Sequence, residues 1–566
     1  MARASSSRLW RPLLSAALEE WRATPFYRAS RTAAAPERIT LHGHDPRGGD
    51  ARRGREILAG QWRIGTEKLS GSHTIPWGAA HPSPHFTSRL HAFAWLGDLA
   101  ALGADAHPRI AQLIERWVSG FGQWHDNAWA PELTSERIFA WLCHGQAAFD
   151  LLQGADRAAL LQSFAWQAHH LLAAWKDLPT QTQRIKAGAA LTLSGFAFGP
   201  DGEKLAEQGV ELLEEACATQ FHPDGGHFSR APEALLEALY DFIAVDDILA
   251  RGGYETPRLI ADATARAGKL LRLLQLGDGG LACFHGGSEG SPETIERALT
   301  EIGASTPSFK FATQSGYQQL QAGASTIIMD VGGAPPPAYG ERAHASALAF
   351  EMSCEKDRLI VNVGACAEIG PDWRAAARAT NGHSTLVVDD ALSAQFSRPR
   401  RGAAHPLEFA LASKRMEEED GVHVEARHEG YRAEFGFVHR RFLFLDKEGR
   451  NVRGADELGR PFADGRSSQT GAIPFAVRFH LHPGVRAEWS APREPRLITP
   501  SGAVWRLRTD AVRVSIEDSI YLSGRMAYGD KPRQDCAQIV LAGAADPNGV
   551  GDAPPNRLRW ALTRVD

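Results

Sequence analysis

The spacing of apolar residues changes once along this chain, and the change bounds what the chain can fold into. From about residue 85 to about 305, apolar positions recur at helical spacing, as in RLHAFAWLGDLAALG, RIAQLIERWVSGFG, RAALLQSFAWQAHHLLAAW and EALLEALYDFIAVDDIL. After about residue 320 the apolar runs are short and rich in β-branched or aromatic residues, and Gly, Pro, Asp or Asn bounds them. Examples are ASTIIMDVGG, RLIVNVGAC, YRAEFGFVHRRFLFLD and AQIVLAG. This pattern predicts helical hairpins followed by a large antiparallel β-sandwich, with the switch near 305–320. At 566 residues the chain exceeds what one hydrophobic core serves. We therefore assign residues 1–312 to an α-helical domain and 313–566 to a β-sandwich domain.

The helical half repeats itself. Ala130-Pro131-Glu132, Ala231-Pro232-Glu233 and Ser291-Pro292-Glu293 each precede an amphipathic run. Proline suits the first helical position, and the glutamate after it suits the positive end of the helix dipole. Asp224-Gly225-Gly226 and Asp278-Gly279-Gly280 recur shortly before the last two of these starts. Repeated hairpins must hide their apolar faces by stacking as a solenoid or closing as a ring. Eleven of the fifteen tryptophans lie between Trp10 and Trp175, and most are expected in helix packing. Trp124 and Trp129 differ, because GQWHDNAWAPE reads as a loop: they suit either stacking on sugar rings or anchoring the loop.

Charge and motif content narrow the function. A formal charge of −5 gives no global basic field for nucleic acid. No run approaches eighteen apolar residues, so no membrane span is expected. The first 28 residues read as an amphipathic helix without a visible secretory signal. The six cysteines include no C-x-x-C pair and are expected to be buried or inert thiols. Phosphate-loop, dinucleotide, nucleophile-elbow and zincin motifs are absent. GGLACFHGGSEG (279–290) is glycine-rich without the phosphate-loop lysine and reads as a turn with His285 toward a cleft.

Several clusters remain as candidates. His227 and Arg230 stand just before a helix start, where backbone N–H groups favour a carboxylate. Arg342 and His344, and separately His383, stand at the beginnings of strands. His428 and Tyr431 lie in Arg427-His428-Glu429-Gly430-Tyr431, and Tyr and His can donate to a leaving oxygen or take an acidic proton. Each also reads as an ordinary cap, strand-end or loop residue, as do His480 and His482.

The segments GERAHASALAFEM, DRLIVNVGAC, ARATNGHSTLVVDD and HEGYRAEFGFVHRRFLFL resemble consecutive blocks opening the β-domain of the heparinase II/III-like polysaccharide lyases. WRATPFYR, LHAFAWLGDLAALG and DGGHFSRAPEALLEAL resemble a bacterial branch of that family, so the resemblance covers nearly the whole chain. It implies an (α/α) toroid before the β-sandwich, and cleavage of an acidic, uronate-containing poly- or oligosaccharide by β-elimination. In that chemistry donors neutralise the uronate carboxylate, a base removes the C5 proton and an acid protonates the departing O4. The resemblance places His227, His344 and Tyr431 beside the cleft; to these we assign the catalytic roles, and we assign Gln183, Arg184, Arg230, Arg342, His428, Trp124 and Trp129 to the surroundings of the substrate. No cofactor is required. A structural zinc in some relatives would correspond to His344, Asn362 and His383.

The departures point to a second reading. The Asn-His pair of known lyases is missing from Gln181–Lys186, Ala234, Leu235 and Leu236 stand where a Tyr is found, Arg342 replaces a His, and Asn362 replaces an Asp. The alternative is a catalytically altered glycan-binding or envelope-polymer-processing protein on the same fold. A third class, a structural scaffold, would lack clustered Arg, His and Tyr.

Overall fold

The computed structural model describes residues 35–65, 67–365, 371–397, 407–461, 471–522, 533–549 and 551–565. The N-terminal amphipathic helix and Cys366 lie outside the described residues. Compactness divides the chain into two units, Met1–Thr219 with Tyr240–Asp262, and Gln220–Leu239 with Ala263–Asp566. The change from helix to strand falls between Glu301 and Phe311.

The first unit holds α1 (Ala51–Leu58), α2 (Pro84–His91), α3 (Leu96–Ala100), α4 (His107–Phe121), α5 (Pro131–His144), α6 (Gln146–Leu151), α7 (Gly154–Ala174), α8 (Gln181–Phe198) and α9 (Glu203–Thr219). Proline opens α5 with Glu132 in its first turn, as the sequence suggests. α8 starts with a reciprocal capping box between Thr180 and Gln183. Helices α8 and α9 pack closely because small residues face each other: a Cβ on Gly195 would lie 2.5 Å from Ala206 Cβ. Most tryptophans of this unit are core residues. Trp117 and Trp141 are fully buried and meet edge to face at 5.4 Å. The buried Arg137 guanidinium lies 4.3 Å over the Trp117 ring and donates to the carbonyls of His91 and Ala128.

Helices α10 (Pro232–Arg251) and α11 (Arg258–Leu273) contribute to both units, and α12 (Pro292–Glu301) belongs to the second. The two Asp-Gly-Gly turns adopt one geometry. Phe221 bridges His227 as Gln275 bridges Leu281, and His222 N donates to Gly226 O (2.7 Å) as Leu276 N donates to Gly280 O (2.9 Å). Gly225 and Gly279 carry φ of 97° and 81°, a conformation that excludes most side chains. The repeat read from the sequence is thus a structural one, each turn leading to a helix that begins with proline.

The β-sandwich of the second unit has two sheets. The strands are β1 (Phe311–Ala312), β2 (Tyr317–Ala322), β3 (Ser325–Asp330), β4 (Phe350–Cys354), β5 (Asp357–Val361), β6 (Leu386–Val388), β7 (Leu411–Glu418), β8 (Gly421–His428), β9 (Val438–Asp446), β10 (Asn451–Gly459), β11 (Ile473–Leu481), β12 (Arg486–Ala491), β13 (Glu494–Ile498), β14 (Val504–Thr509), β15 (Arg513–Tyr521), β16 (Gln534–Ala545) and β17 (Arg557–Arg564). One sheet runs β15-β16-β11-β5-β4-β3-β2-β1, with β6 on β11, and the other runs β12-β13-β14-β17-β10-β9-β8-β7. Neighbouring strands in both sheets run antiparallel. Alternate residues face inward and interdigitate, among them Phe350, Leu443, Phe479, Trp505 and Trp560. A short helix, α13 (Pro371–Arg378), crosses between β5 and β6 in sequence. No helix among the described residues is long and apolar enough to cross a membrane.

Candidate functional site

Within the second unit, the turn after Asp224 sets Arg230 in a left-handed conformation (φ 58°). Arg230 donates through Nε to Ser315 O (2.9 Å), through Nη1 to Gly333 O (2.7 Å) and through Nη2 to Gly316 O (3.2 Å), and pairs with Asp330 at the end of β3. Tyr317 donates its hydroxyl to Arg230 O. Gly332 leaves the room: a Cβ there would sit 2.3 Å from Arg230 Nη2. Burial alone would raise the Asp330 carboxyl, but the Arg230 charge and His285 hold it well below the usual carboxylate range. Asp330 also accepts from Ser346 Oγ at 2.7 Å.

A chain of imidazoles continues from this pair. His285 Nε2 lies 3.3 Å from Asp330 Oδ2, and His285 Nδ1 accepts from His344 N at 3.2 Å. His383 Nδ1 lies 2.8 Å from Ala379 O, and a carbonyl only accepts, so Nδ1 carries the proton. His383 Nε2 therefore accepts from His344 Nδ1, 3.0 Å away. Burial pushes the His383 imidazole down to about 4 and His344 well below its ordinary value, so both are neutral. Arg230, His344 and His383 are thus brought together, joined by Asp330 and His285.

This arrangement changes the expected roles. Every guanidinium nitrogen of Arg230 is engaged with the protein, so it ties the turn to the sandwich and does not await a substrate carboxylate. His285 is buried (3% exposed), held between Asp330 and the His344 backbone. The residues of the zinc expectation have protein partners. His344 and His383 are bonded to each other, and Asn362 spends its amide on Glu351 (3.1 Å) and its oxygen on Ser384 N (3.0 Å). Among the described residues the one group of three ligand-type side chains close enough to share an ion is Glu418, Asp420 and His423, on the β7–β8 hairpin.

The proposed proton-transfer pair is not brought together. His227 is buried; its Nδ1 accepts from Ser229 N (3.1 Å) and its ring meets Phe221 and Tyr339 edge on. Burial, then nearby His222, pushes it down to about 3. Tyr431 lies in the sandwich core, with its hydroxyl donating to Leu386 O at 2.9 Å and its ring between His428 and Phe435. Burial pushes its phenol far up. His428 is equally internal. Its Nδ1 accepts from Gly430 N, its Nε2 donates to His439 Nδ1 (3.1 Å), and His439 Nε2 donates to Asp456 (2.8 Å). Neither Tyr431 nor His428 can touch a polysaccharide without opening the sandwich.

Arg342, 60% exposed, donates to Gly286 O (2.7 Å) and pairs with Glu233, which also accepts from Ser288 Oγ (2.6 Å). In the first unit Gln183 spends its side-chain oxygen on Thr180 N, and the Arg184 guanidinium lies 5.5 Å from the Trp175 ring centroid. Trp129 is a loop anchor: it is 3% exposed and donates Nε1 to Phe121 O at 2.8 Å. Trp124 is half-buried. Asp330 and Ser288 escaped the sequence reading, and Glu233 entered it only as a helix-opening residue. The one local signal was Asp330 closing the apolar run ASTIIMD.

Residues 304–561 match the family described as Heparinase II/III-like, C-terminal. The whole chain is 33% identical over 579 residues to FtsZ-localized protein C of Caulobacter vibrioides (strain NA1000 / CB15N), covering 100% of this chain and 98% of that one. Among solved structures it is similar to a crystal structure of heparinase III (TM-score 0.70, 14% identity, 97% of this chain and 89% of that one). It is also similar to a mutant of the heparan sulfate lyase HepC from Pedobacter heparinus (TM-score 0.62, 14% identity, 96% and 87% covered). These structural likenesses show the fold, an (α/α) toroid of helical hairpins with an antiparallel β-sandwich.

Proposed function

The chain belongs to the heparinase II/III-like family, and from that premise we propose that it is a catalytically altered glycan-binding protein that localises with FtsZ. The observation that carries this reading is the enclosure of His227 and Tyr431 in separate surroundings, each satisfied by its own neighbours. β-Elimination needs a base and an acid that reach one sugar. The supposed pair offers neither, and Arg230 is held by Asp330. The whole-length likeness to FtsZ-localized protein C supports the cellular placement. Incubation with a panel of uronate polymers is expected to release no unsaturated product absorbing in the ultraviolet, while a verified lyase does so in parallel. A fluorescent fusion is expected to co-localise with FtsZ in dividing cells. Product formation, or a fusion spread evenly through the cell, removes the corresponding half of the proposal.

One observation favours a second reading, retained cleavage of a uronate glycan. Arg342 is exposed beside Glu233, and the buried His344 follows two residues later, so a guanidinium open to solvent and an imidazole lie close in sequence. On this reading Arg342 neutralises the uronate carboxylate. Product that disappears in Arg342→Ala would establish it.

A further inference from the structure

The second unit holds a cavity of about 700 Å³, lined by His480 and by none of the other candidate residues. It lies against strands β11, β15 and β16, helix α13 and the turn that follows it. We propose that this cavity binds a neutral saccharide of one or two rings, which gives the glycan-binding reading above, on which it rests, a specific site.

The chemistry of the wall points to that class. Trp373 of α13 lines the cavity and is 37% exposed, one of few large apolar side chains left open to water. The Arg533 guanidinium lies over its ring, 5.3 Å from the centroid, and 3.9 Å from Asp535. An indole held in place by an adjacent cation offers a flat apolar surface to the C–H face of a sugar. Around it stand groups that exchange hydrogen bonds with hydroxyls. Gln538 lines the wall with its amide also bonded to Arg478 and the Asp518 carbonyl, and the buried Asn381 Oδ1 accepts no hydrogen bond. A buried acceptor without a donor costs free energy that a ligand hydroxyl would recover. The floor is apolar, with Val363 and Ala377 packed under Ile520.

The wall is also rigid and nearly neutral. His480 Nε2 donates to Asn381 O (2.9 Å), so its Nδ1 accepts the Ser519 hydroxyl (2.8 Å), fixing the turn to β11 and β15. Asp518 and Asp535 face one guanidinium among the lining residues, a balance that disfavours a uronate or sulfated chain. The volume falls within the range of small-ligand pockets, about 300–1,000 Å³, and suits one or two sugar rings.

The test uses the full chain and calorimetric titration with cellobiose, maltose, lactose and N,N′-diacetylchitobiose, followed by heparan sulfate. At least one disaccharide is expected to bind, with affinity about tenfold weaker in Trp373→Ala, as for loss of an interface anchor. Asn381→Ala, whose backbone carbonyl still holds His480, is expected to weaken the same ligand several-fold. Each variant is checked for an unchanged melting temperature, and Gln538→Ala replaces any that fails. Binding of no disaccharide, or of one with unchanged affinity in the variants, overturns the proposal. Heparan sulfate binding in that case leaves the broader glycan reading standing, whereas silence toward every glycan defeats both.

Discussion

His344 and His383 hold each other: Nδ1 of the first lies 3.0 Å from Nε2 of the second, and the backbone carbonyl of Ala379 fixes which ring donates. A divalent metal would need the lone pair that His383 already gives to His344, together with a carboxylate that Asn362 does not supply. The purified protein is therefore expected to contain far less than one zinc per chain by elemental analysis. Its melting temperature should stay unchanged after chelator treatment. A stoichiometric metal that stabilises the fold would show that the two imidazoles part to bind it.

Arg230 and Asp330 form the other half of the same cluster, both buried, with the arginine also serving three carbonyls. Removing one partner strands a charge in the interior, which costs about 3–5 kcal/mol. Arg230→Ala should lower unfolding stability by that order in urea titration. Arg230→Lys should recover little, because one ammonium cannot replace a fork that reaches Ser315, Gly316 and Gly333. An alanine variant as stable as wild type would remove Arg230 as the tie between turn and sandwich.

Local features were legible in the sequence and distant partners were not. The Asp-Gly-Gly turns and the prolines opening α5, α10 and α12 announce themselves, because a positive φ and a first helical position each select one residue type. Arg230 was identifiable as a notable residue, but its partner stands 100 positions away, and no local pattern links them. His428 and Tyr431 misled for a different reason. Their polarity reads as surface, yet their hydrogen bonds are satisfied inside the sandwich by His439 and Leu386. Trp129 shows the same limit, since an indole on a loop looks like a ligand platform until its N–H is found on Phe121 O.

Tyr431 gives a direct check of this distinction. Tyr431→Phe removes the donor to Leu386 O and keeps the ring among His428 and Phe435. Leaving that carbonyl without a partner should cost about 1–3 kcal/mol of stability. Glycan binding by the folded variant should be unchanged. A variant with intact stability and lost glycan affinity would return the phenol to a surface role.

The pH dependence of folding follows from the buried imidazoles. Burial pushes His91, His227 and His480 to about 3 and His383 to about 4, from an ordinary value of 6.5. Below pH 6.5 the unfolded chain takes up protons on these rings and the folded chain does not, so stability present above 6.5 is lost as the pH falls toward 4. Glu351 acts in the opposite sense. Burial, against the pull of Arg358, raises it from 4.5 to about 7, so its contribution is complete below pH 4.5 and is lost as the pH rises through 7. The four imidazoles outnumber this single carboxyl, and the melting temperature is expected to fall from pH 6.5 to 4.5. In Glu351→Gln the opposing contribution is gone. The variant should lie furthest below wild type near pH 5, with the gap narrowing toward pH 8. Differential scanning calorimetry across that range decides the matter: a wild-type melting temperature that is flat from 6.5 to 4.5 would mean that these imidazoles ionise in the folded protein, and a gap that does not narrow would mean that Glu351 keeps an ordinary carboxyl affinity for protons.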